Sequence, residues 1–403
     1  MPLFTDHLHD EFGSWPLGFI PYGGADHGEI AAVGRAVADA GGSDDAFHAA
    51  WSEAAERLAV QAEAALAHGH VASARGLFLR ASCFHAASYH PLYGEPVDAR
   101  LLQSFRRQTD YLARALAMGP EPALPLRIPF EGTTLPGFLL PAEGRASERR
   151  PLLILTNGYD GTLSDMYFAS AVAATRRGYH CLVFDGPGQG GALYEQGLRM
   201  RPDWETVVRA VVDHAIGFDI VDVGRIALSG WSLGGYLAPR AASGEHRLAA
   251  CICDPGLWSV ASGFRNAAVQ MGVPPELAAH LGDLPQPWLD KLERVVAADR
   301  RLRWAVMQRG YWVHGVGSLR EYLAAAEQFT LDGRLESIRC PTLVTVAEGD
   351  SFGQSAPALF DALGCPKKLL RFTAAEGAGG HCEMQNRSLL NQRVLDWLDE
   401  QLG

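Results

Sequence analysis

Between residues 124 and 374 the chain carries eight short β-rich runs: LPLRIPF, TLPGFLLPA, PLLILTN, HCLVFDG, RIALSG, LAACICD, PTLVTVA and KLLRFTA. Several are apolar on both faces. A strand with one wet face alternates apolar and polar residues; a strand covered by helices on both faces does not. Helical stretches separate the runs, so the expected class is α/β, with a mostly parallel eight-stranded sheet. The alternation stops between Gly256 and about Arg339. Some 80 residues there read as helices and loops, with Pro274, Pro275, Pro285 and Pro287 as breakers. This stretch, about 256–339, is expected to be a helical cap inserted between the sixth and seventh strands.

Before residue 120 a period of three to four dominates. Phe47, Trp51, Ala54, Leu58, Ala62 and Ala65 form one apolar series; Leu77, Ala81, Phe84 and Ser88 form a second, and Leu101, Phe105, Leu112 and Leu116 a third. Three or four amphipathic helices are expected, with no fixed repeat period. MGPEPALP then breaks the chain. The division is therefore an N-terminal helical domain, 1–120, and an α/β core, 121–403, that contains the cap.

The 403 residues are ample for a large core, and the net charge of −11 is spread without blocks, which disfavours nucleic acid or anionic lipid as partner. The seven cysteines are scattered, which fits reduced thiols in a cytoplasm better than disulfides or metal ligands. MPLFTDHLHDEFGSWPLGF has no basic segment leading into an apolar run, so no signal peptide is expected. No stretch is long and apolar enough to read as a membrane span.

Chemistry concentrates at ALSGWSLGGYLAPR. Gly230, Trp231, Ser232, Leu233 and Gly234 fit Gly-x-Ser-x-Gly between a strand and a helix. The glycines relieve crowding at a sharp turn that lifts the Ser232 hydroxyl above the sheet, and the helix start behind it offers free N–H groups to an oxyanion. A serine hydroxyl needs a base to react near neutral pH. Downstream, AEGAGGHCEMQNR places His381 in a glycine-rich loop after the last run, where an imidazole can reach over the sheet edge. His246, His280 and His314 read as surface or cap residues. The carboxylate that orients the base should follow a strand. Asp350 in PTLVTVAEGDSFG is preferred over Glu348 and over Asp254 after the sixth strand. The Leu233 N–H is the first expected oxyanion donor. In TNGYDGTLSD, the Tyr159 N–H is the second, and Asp160 either binds substrate or caps the next helix.

Other signals are weaker. DGPGQGG imitates a dinucleotide loop, but Pro187 and the lack of a helix start behind it make it a turn. His68, His70, His85 and His90 read as helix residues, and no cofactor or metal is expected. Trp258, Trp288, Trp304 and Trp312 lie in the cap, as its own core or, with Trp231, as the lining of a pocket for a ring-bearing substrate. PLGFIPYGGADHGEI joins Phe19, Tyr22 and two glycines to Asp26, His27 and Glu29; it reads as a segment fixed against another surface, which brings the helical domain into the site.

With these residues in place, the chain resembles the α/β-hydrolases with an N-terminal helical domain, the group of 2,6-dihydroxypseudooxynicotine hydrolase and the fungal yellowish-green polyketide-shortening hydrolases. The stretches that carry the likeness are PYGGADHGEI, NGYDGTLSDMY, FDGPGQG, RPDWETVV, GWSLGGYLAPRAA, CPTLVTVAEGD and GAGGHCEMQ. The resemblance implies Ser232 as nucleophile, Asp350 as acid and His381 as base. It also implies a homodimer, and cleavage of a carbon–carbon bond next to a ketone, or of an ester, in a small aromatic or polyketide-like molecule. It departs in GLWSVASGFRN, which lacks the extra carboxylate of the nicotine-pathway enzyme. A lyase, a decarboxylase or a ligand receptor on the same fold are the competing readings.

Overall fold

A computed structural model describes residues 3–403; Met1 and Pro2, which open the stretch read for a leader, lie outside it. All eight β-rich runs are strands: β1 (Leu124–Phe130), β2 (Thr133–Leu140), β3 (Arg150–Thr156), β4 (His180–Phe184), β5 (Val221–Trp231), β6 (Leu248–Asp254), β7 (Thr342–Ala347) and β8 (Lys367–Phe372). They form one sheet in the order β1-β2-β4-β3-β5-β6-β7-β8. The β1–β2 and β2–β4 pairs are antiparallel and the remaining pairs are parallel. β4 is buried along its whole length, and β3 and β6 nearly so. Helices cover both faces, which is why these runs lack the alternation of a one-sided sheet. The carboxyl ends of β3, β5, β6 and β7 therefore open on one rim, where loops can meet.

Among the described residues six α-helices precede the sheet: α1 (His7–Gly13), α2 (Trp15–Phe19), α3 (His27–Asp39), α4 (Asp44–Ala67), α5 (Val71–Ser88) and α6 (Ala99–Ala117). The three apolar series fall on α4, α5 and α6. The sequence reading missed α1 and α2, which are too short for a period to emerge. The Ser43 and Asp98 side chains cap α4 and α6 by accepting the Ala46 and Arg100 N–H groups.

These helices do not have a core to themselves. Phe47, Trp51, Phe84 and Tyr111 share one apolar cluster with Leu153 and Val183 of the sheet and with Phe168. The PLGFIPYGGADHGEI segment is one of the joints. Phe19 stacks on Phe168 with ring centres 5.6 Å apart, and the Tyr22 hydroxyl accepts the Asn391 amide at 2.8 Å. A methyl on Gly24 would stand 2.7 Å from the Phe19 Cβ. This stretch therefore fastens the helical region to the core, as its composition suggested.

The cap occupies the expected place between β6 and β7, and an isolated antiparallel bridge, Ser259–Thr330, closes its base. The prolines act as helix starters there. Pro275 opens the helix Pro275–Ala278, and Pro287 lies in the first turn of Gln286–Ala298, where a missing N–H costs nothing. Leu281, Leu289 and Leu323 belong to the cap's own apolar cluster, but Trp304 and Trp312 do not. Both pack with the sheet-side cluster, Trp304 against Phe12 and Trp312 between Tyr93 and Tyr194. No helix among the described residues is long and apolar enough to cross a membrane.

Because one cluster joins the helical region to the sheet, the two should melt together. Phe168→Ala is expected to cost about 3–5 kcal/mol and to lower a single thermal midpoint seen equally by far- and near-UV circular dichroism. A separate early transition of the helical signal would contradict the shared core.

Candidate active site

β5 runs into the helix Gly234–Ala242 through a turn of two residues, and Ser232 sits in it with φ at 61°. That left-handed conformation is costly for a residue with a side chain and persists only where surroundings impose it. Here the Ser232 N–H donates to the Asp254 carbonyl at 2.7 Å. Space is the second constraint. A methyl on Gly230 would fall on the Gly234 carbonyl oxygen, and one on Gly234 would lie 2.7 Å from the Thr156 carbonyl oxygen. On Gly158 it would lie 2.7 Å from the Ser232 Cβ. The motif glycines are places where β3, β5 and the helix behind them touch through bare backbone.

His381 closes a line of hydrogen bonds. Its Nε2 lies 2.9 Å from the Ser232 Oγ, and its Nδ1 lies 2.8 Å from the Asp350 Oδ2. The natural assignment puts the proton on Nδ1, with Nε2 accepting from the serine hydroxyl. Asp350 is buried and also accepts the Phe352 N–H at 2.9 Å. Burial works against its charge, but the His381 hydrogen bond and charge outweigh it and hold the carboxyl below its ordinary range. Burial likewise opposes a charged His381, yet the Asp350 hydrogen bond and charge raise its pKa above the ordinary value.

The two alternative carboxylates are engaged elsewhere. Glu348 accepts the Ala374 N–H at 2.9 Å. Asp254 accepts the Thr345 hydroxyl at 2.9 Å and pairs with Arg387 at 3.3 Å. Arg387 also donates to the Cys382 carbonyl and to Ser170. Glu383, in the same buried group, has its carboxyl pushed well above the usual range, by burial first and by Asp254 next.

Neither the Leu233 N–H nor the Tyr159 N–H has an acceptor among the described residues, so both are free to serve an anion. Gln189 braces the loop before Tyr159, its amide donating to the Asn157 and Gly158 carbonyls at 2.7 and 3.2 Å. The Tyr159 hydroxyl reaches His314 at 2.7 Å. His314 is thus not a surface or plain cap residue. Burial, then Arg309, pushes its pKa down to about 4, so at neutral pH it is an uncharged acceptor that ties the cap to this loop. A period count cannot show such a pairing across 155 residues.

Two further readings change. Thr162 and Asp165 form the cap of the helix Leu163–Met166, so Asp160 is not its cap; Asp160 instead pairs with Arg309 at 2.7 Å. A short helix, Gly190–Tyr194, does start at the end of DGPGQGG, contrary to the sequence reading. The Asp185 carboxylate takes the Gly191 N–H at its start, together with the Leu163 N–H, leaving no cradle for a phosphate.

Ser232, His381 and Asp350 open on a cavity of about 870 Å³. Tyr159, Asp160 and Trp231 are among the residues that line it; Trp258 and Trp312 are not. Trp312 is buried among tyrosines, and the Trp258 ring nitrogen donates to Asp332 on an exposed edge. The walls that sequence reasoning missed come from residues 5–15, including Glu11 and Trp15, and from Arg300, Arg301 and Arg309 of the cap. Across the cavity, Arg300 pairs with Asp6 and Asp44, and Arg301 with Glu11. These contacts are long-range ion pairs in a stretch without periodicity, so no local signal announces them.

Comparison with known proteins agrees with this architecture. Residues 152–390 match the model of a family described as the alpha/beta hydrolase family. The chain is 34% identical to Hydrolase LUC6 of a Fusarium species, over 96% of this chain and 94% of that one. It is 32% identical to the 20-hydroxy-prefusarin hydrolase FUS2 of Gibberella moniliformis, over 95% and 94% of the two chains. The solved structure of the 2,6-dihydroxy-pseudo-oxynicotine hydrolase has a similar fold, with a TM-score of 0.73 at 21% identity over 96% of this chain and 95% of that one.

The electrostatics of the His381–Asp350 pair give a direct expectation. The His381 ring, followed by NMR on histidine-labelled protein, should titrate above about 6.5, the free histidine value. Asp350→Asn removes the charge that stabilises imidazolium and should bring the midpoint down. An unchanged midpoint in Asp350→Asn would show that the pair is not coupled.

Proposed function

The chain belongs to the alpha/beta hydrolase family, and from that premise we propose that it is a serine hydrolase. Its reaction is cleavage of a carbon–carbon bond next to a ketone in a small aromatic or polyketide-like molecule. The observation that carries the reading is the unbroken line from Asp350 through His381 to the Ser232 hydroxyl at the wall of a cavity. A receptor that only held its ligand would have no use for that line. The substrate class is supported by a relative named for hydrolysis of 20-hydroxy-prefusarin and by the aromatic wall of Trp15 and Trp231, whose ring centres lie 5.2 Å apart.

Ser232 attacks the ketone carbon while His381 Nε2 takes its proton, and Asp350 stabilises the imidazolium without taking the proton itself. The oxygen of the tetrahedral adduct receives the Leu233 and Tyr159 N–H groups, neither of which has an acceptor among the described residues. Collapse leaves an acyl group on Ser232 and passes the His381 proton to the departing carbon. Water, deprotonated by His381, then releases the acid. Aryl esters fit the same sequence of steps with an oxygen leaving group.

Ser232→Ala should lower turnover by ~10³-fold or more and abolish labelling by a fluorophosphonate; equal labelling of both proteins would remove Ser232 from the role. Asp350→Asn should cost ~10²–10⁴-fold with an unchanged circular dichroism spectrum. A fully active Asp350→Asn beside a folded but inactive Asp254→Asn would move the acid to β6. Since the base must be neutral and its pKa is raised, kcat/KM should climb with pH and reach half its plateau above about 6.5. A profile already flat at pH 6 would contradict this.

A further inference from the structure

One polar pair in the cavity wall has no part in the steps above. Asp160 follows Tyr159 directly, and Arg309 comes from the cap; both line the cavity with Ser232. Their side chains are 13% and 12% exposed and their closest approach is 2.7 Å. A pair taken this far out of water holds its place through full hydrogen bonding. This one is incomplete: the Asp160 Oδ1 and the Arg309 Nε are buried without a partner. By geometry the guanidinium donates a single hydrogen bond, to Asp160, out of five N–H groups.

The surroundings fix the cation without neutralising it further. Its plane lies over the Tyr159 ring at 4.5 Å and near the Trp304 ring at 5.2 Å. Arg309 projects from a π-helical stretch, Trp304–Gly310, a distortion that recurs at functional sites. The other cations of the wall are committed. Arg300 meets Asp6 at 2.8 Å and Asp44 at 2.6 Å, and Arg301 takes both oxygens of Glu11.

Resting on the Ser232 reading above, we propose that Arg309 is a catalytic residue specific to carbon–carbon cleavage, and that Asp160 positions it. Its substrates are 1,3-dicarbonyl compounds. When the Ser232 adduct collapses, the electron pair of the broken bond goes to the departing carbon and delocalises onto the oxygen of the second carbonyl as an enolate. Arg309 donates its unused N–H groups to that enolate oxygen. The proton that His381 took from Ser232 then moves to the departing carbon, giving a neutral ketone. The acyl-serine takes up water and releases a carboxylic acid. An ester needs none of this, because its leaving oxygen carries the charge itself. The cation therefore favours one bond type over the other within one site.

The test compares 1-phenylbutane-1,3-dione with 4-nitrophenyl acetate on the wild type, on Arg309→Lys and on the Asp160→Asn, Arg309→Gln double variant, which keeps an uncharged pair of similar shape. Loss of one transition-state donor to an oxyanion costs roughly 10²–10³-fold. The double variant should lose at least about thirty times more activity on the diketone than on the ester, and Arg309→Lys should recover part of the difference. Binding supplies a second readout. The diketone added to Ser232→Ala should develop enolate absorbance, and the same addition should not when Asp160→Asn and Arg309→Gln are also present. Equal losses on both substrates, or enolate absorbance that survives the double substitution, overturn the proposal. A wild type that hydrolyses the ester through Ser232 and leaves the diketone intact also overturns it while the nucleophile stands. Failure of the fluorophosphonate to label Ser232 overturns the nucleophile reading, and this proposal with it.

Discussion

A buried guanidinium holds the site together. Arg387 is almost wholly out of water and bonds the Asp254 carboxylate, the Cys382 carbonyl, the Ala169 carbonyl and the Ser170 hydroxyl. Those partners belong to different parts of the chain. Asp254 ends β6 and supplies the carbonyl that holds the Ser232 N–H. Cys382 follows His381. Ala169 and Ser170 lie in the π-helical turn that follows the helix starting at Leu163. One side chain thus fixes the Ser232 turn relative to the His381 loop. Breaking a buried pair of this kind by removing one partner costs about 3–5 kcal/mol. The Glu383 carboxyl beside it is raised because burial and the neighbouring Asp254 outweigh the pull of Arg387.

Around that rigid centre the cavity is assembled from separate layers. The sheet loops supply Ser232, His381, Asp350 and the Tyr159 turn. The cap supplies Arg309 and, through His314, a hydrogen bond to the Tyr159 hydroxyl. Residues 5–15 supply the remaining wall, held to the cap by Arg300 and Arg301 and to the rest of the helical region through Phe12, which stacks on His90 with ring centres 4.1 Å apart. His90 in turn reaches the Asp160 carbonyl at 3.3 Å. The helical region and the cap therefore both bear on the loop that carries the Tyr159 N–H.

What the sequence made legible follows from range. Strands with two dry faces, the Gly-x-Ser-x-Gly turn and the histidine after β8 are local patterns, each dictated by backbone geometry within a few residues. Asp350 could be named as a candidate because the chemistry asks for a carboxylate at a strand end, and Asp254 met the same description; in the fold Asp350 lies against His381, whereas Asp254 meets Thr345 and Arg387. Arg309 and His314 were not legible. Their meaning lies in partners some 150 residues away, and in the sequence they look like any polar residues on a cap helix. Trp258 and Trp312 erred in the opposite direction, because aromatic composition does not say which way a ring points.

The left-handed backbone at Ser232 restricts which side chain can stand in this turn as well as where it stands. A side chain branched at Cβ is poorly tolerated at positive φ, and Ser232 stands at φ 61°. Threonine, which carries the same hydroxyl, is disfavoured there by its branched shape. An unbranched thiol in its place meets no such obstacle, so the turn is selective for the skeleton of the side chain and indifferent to whether oxygen or sulfur ends it.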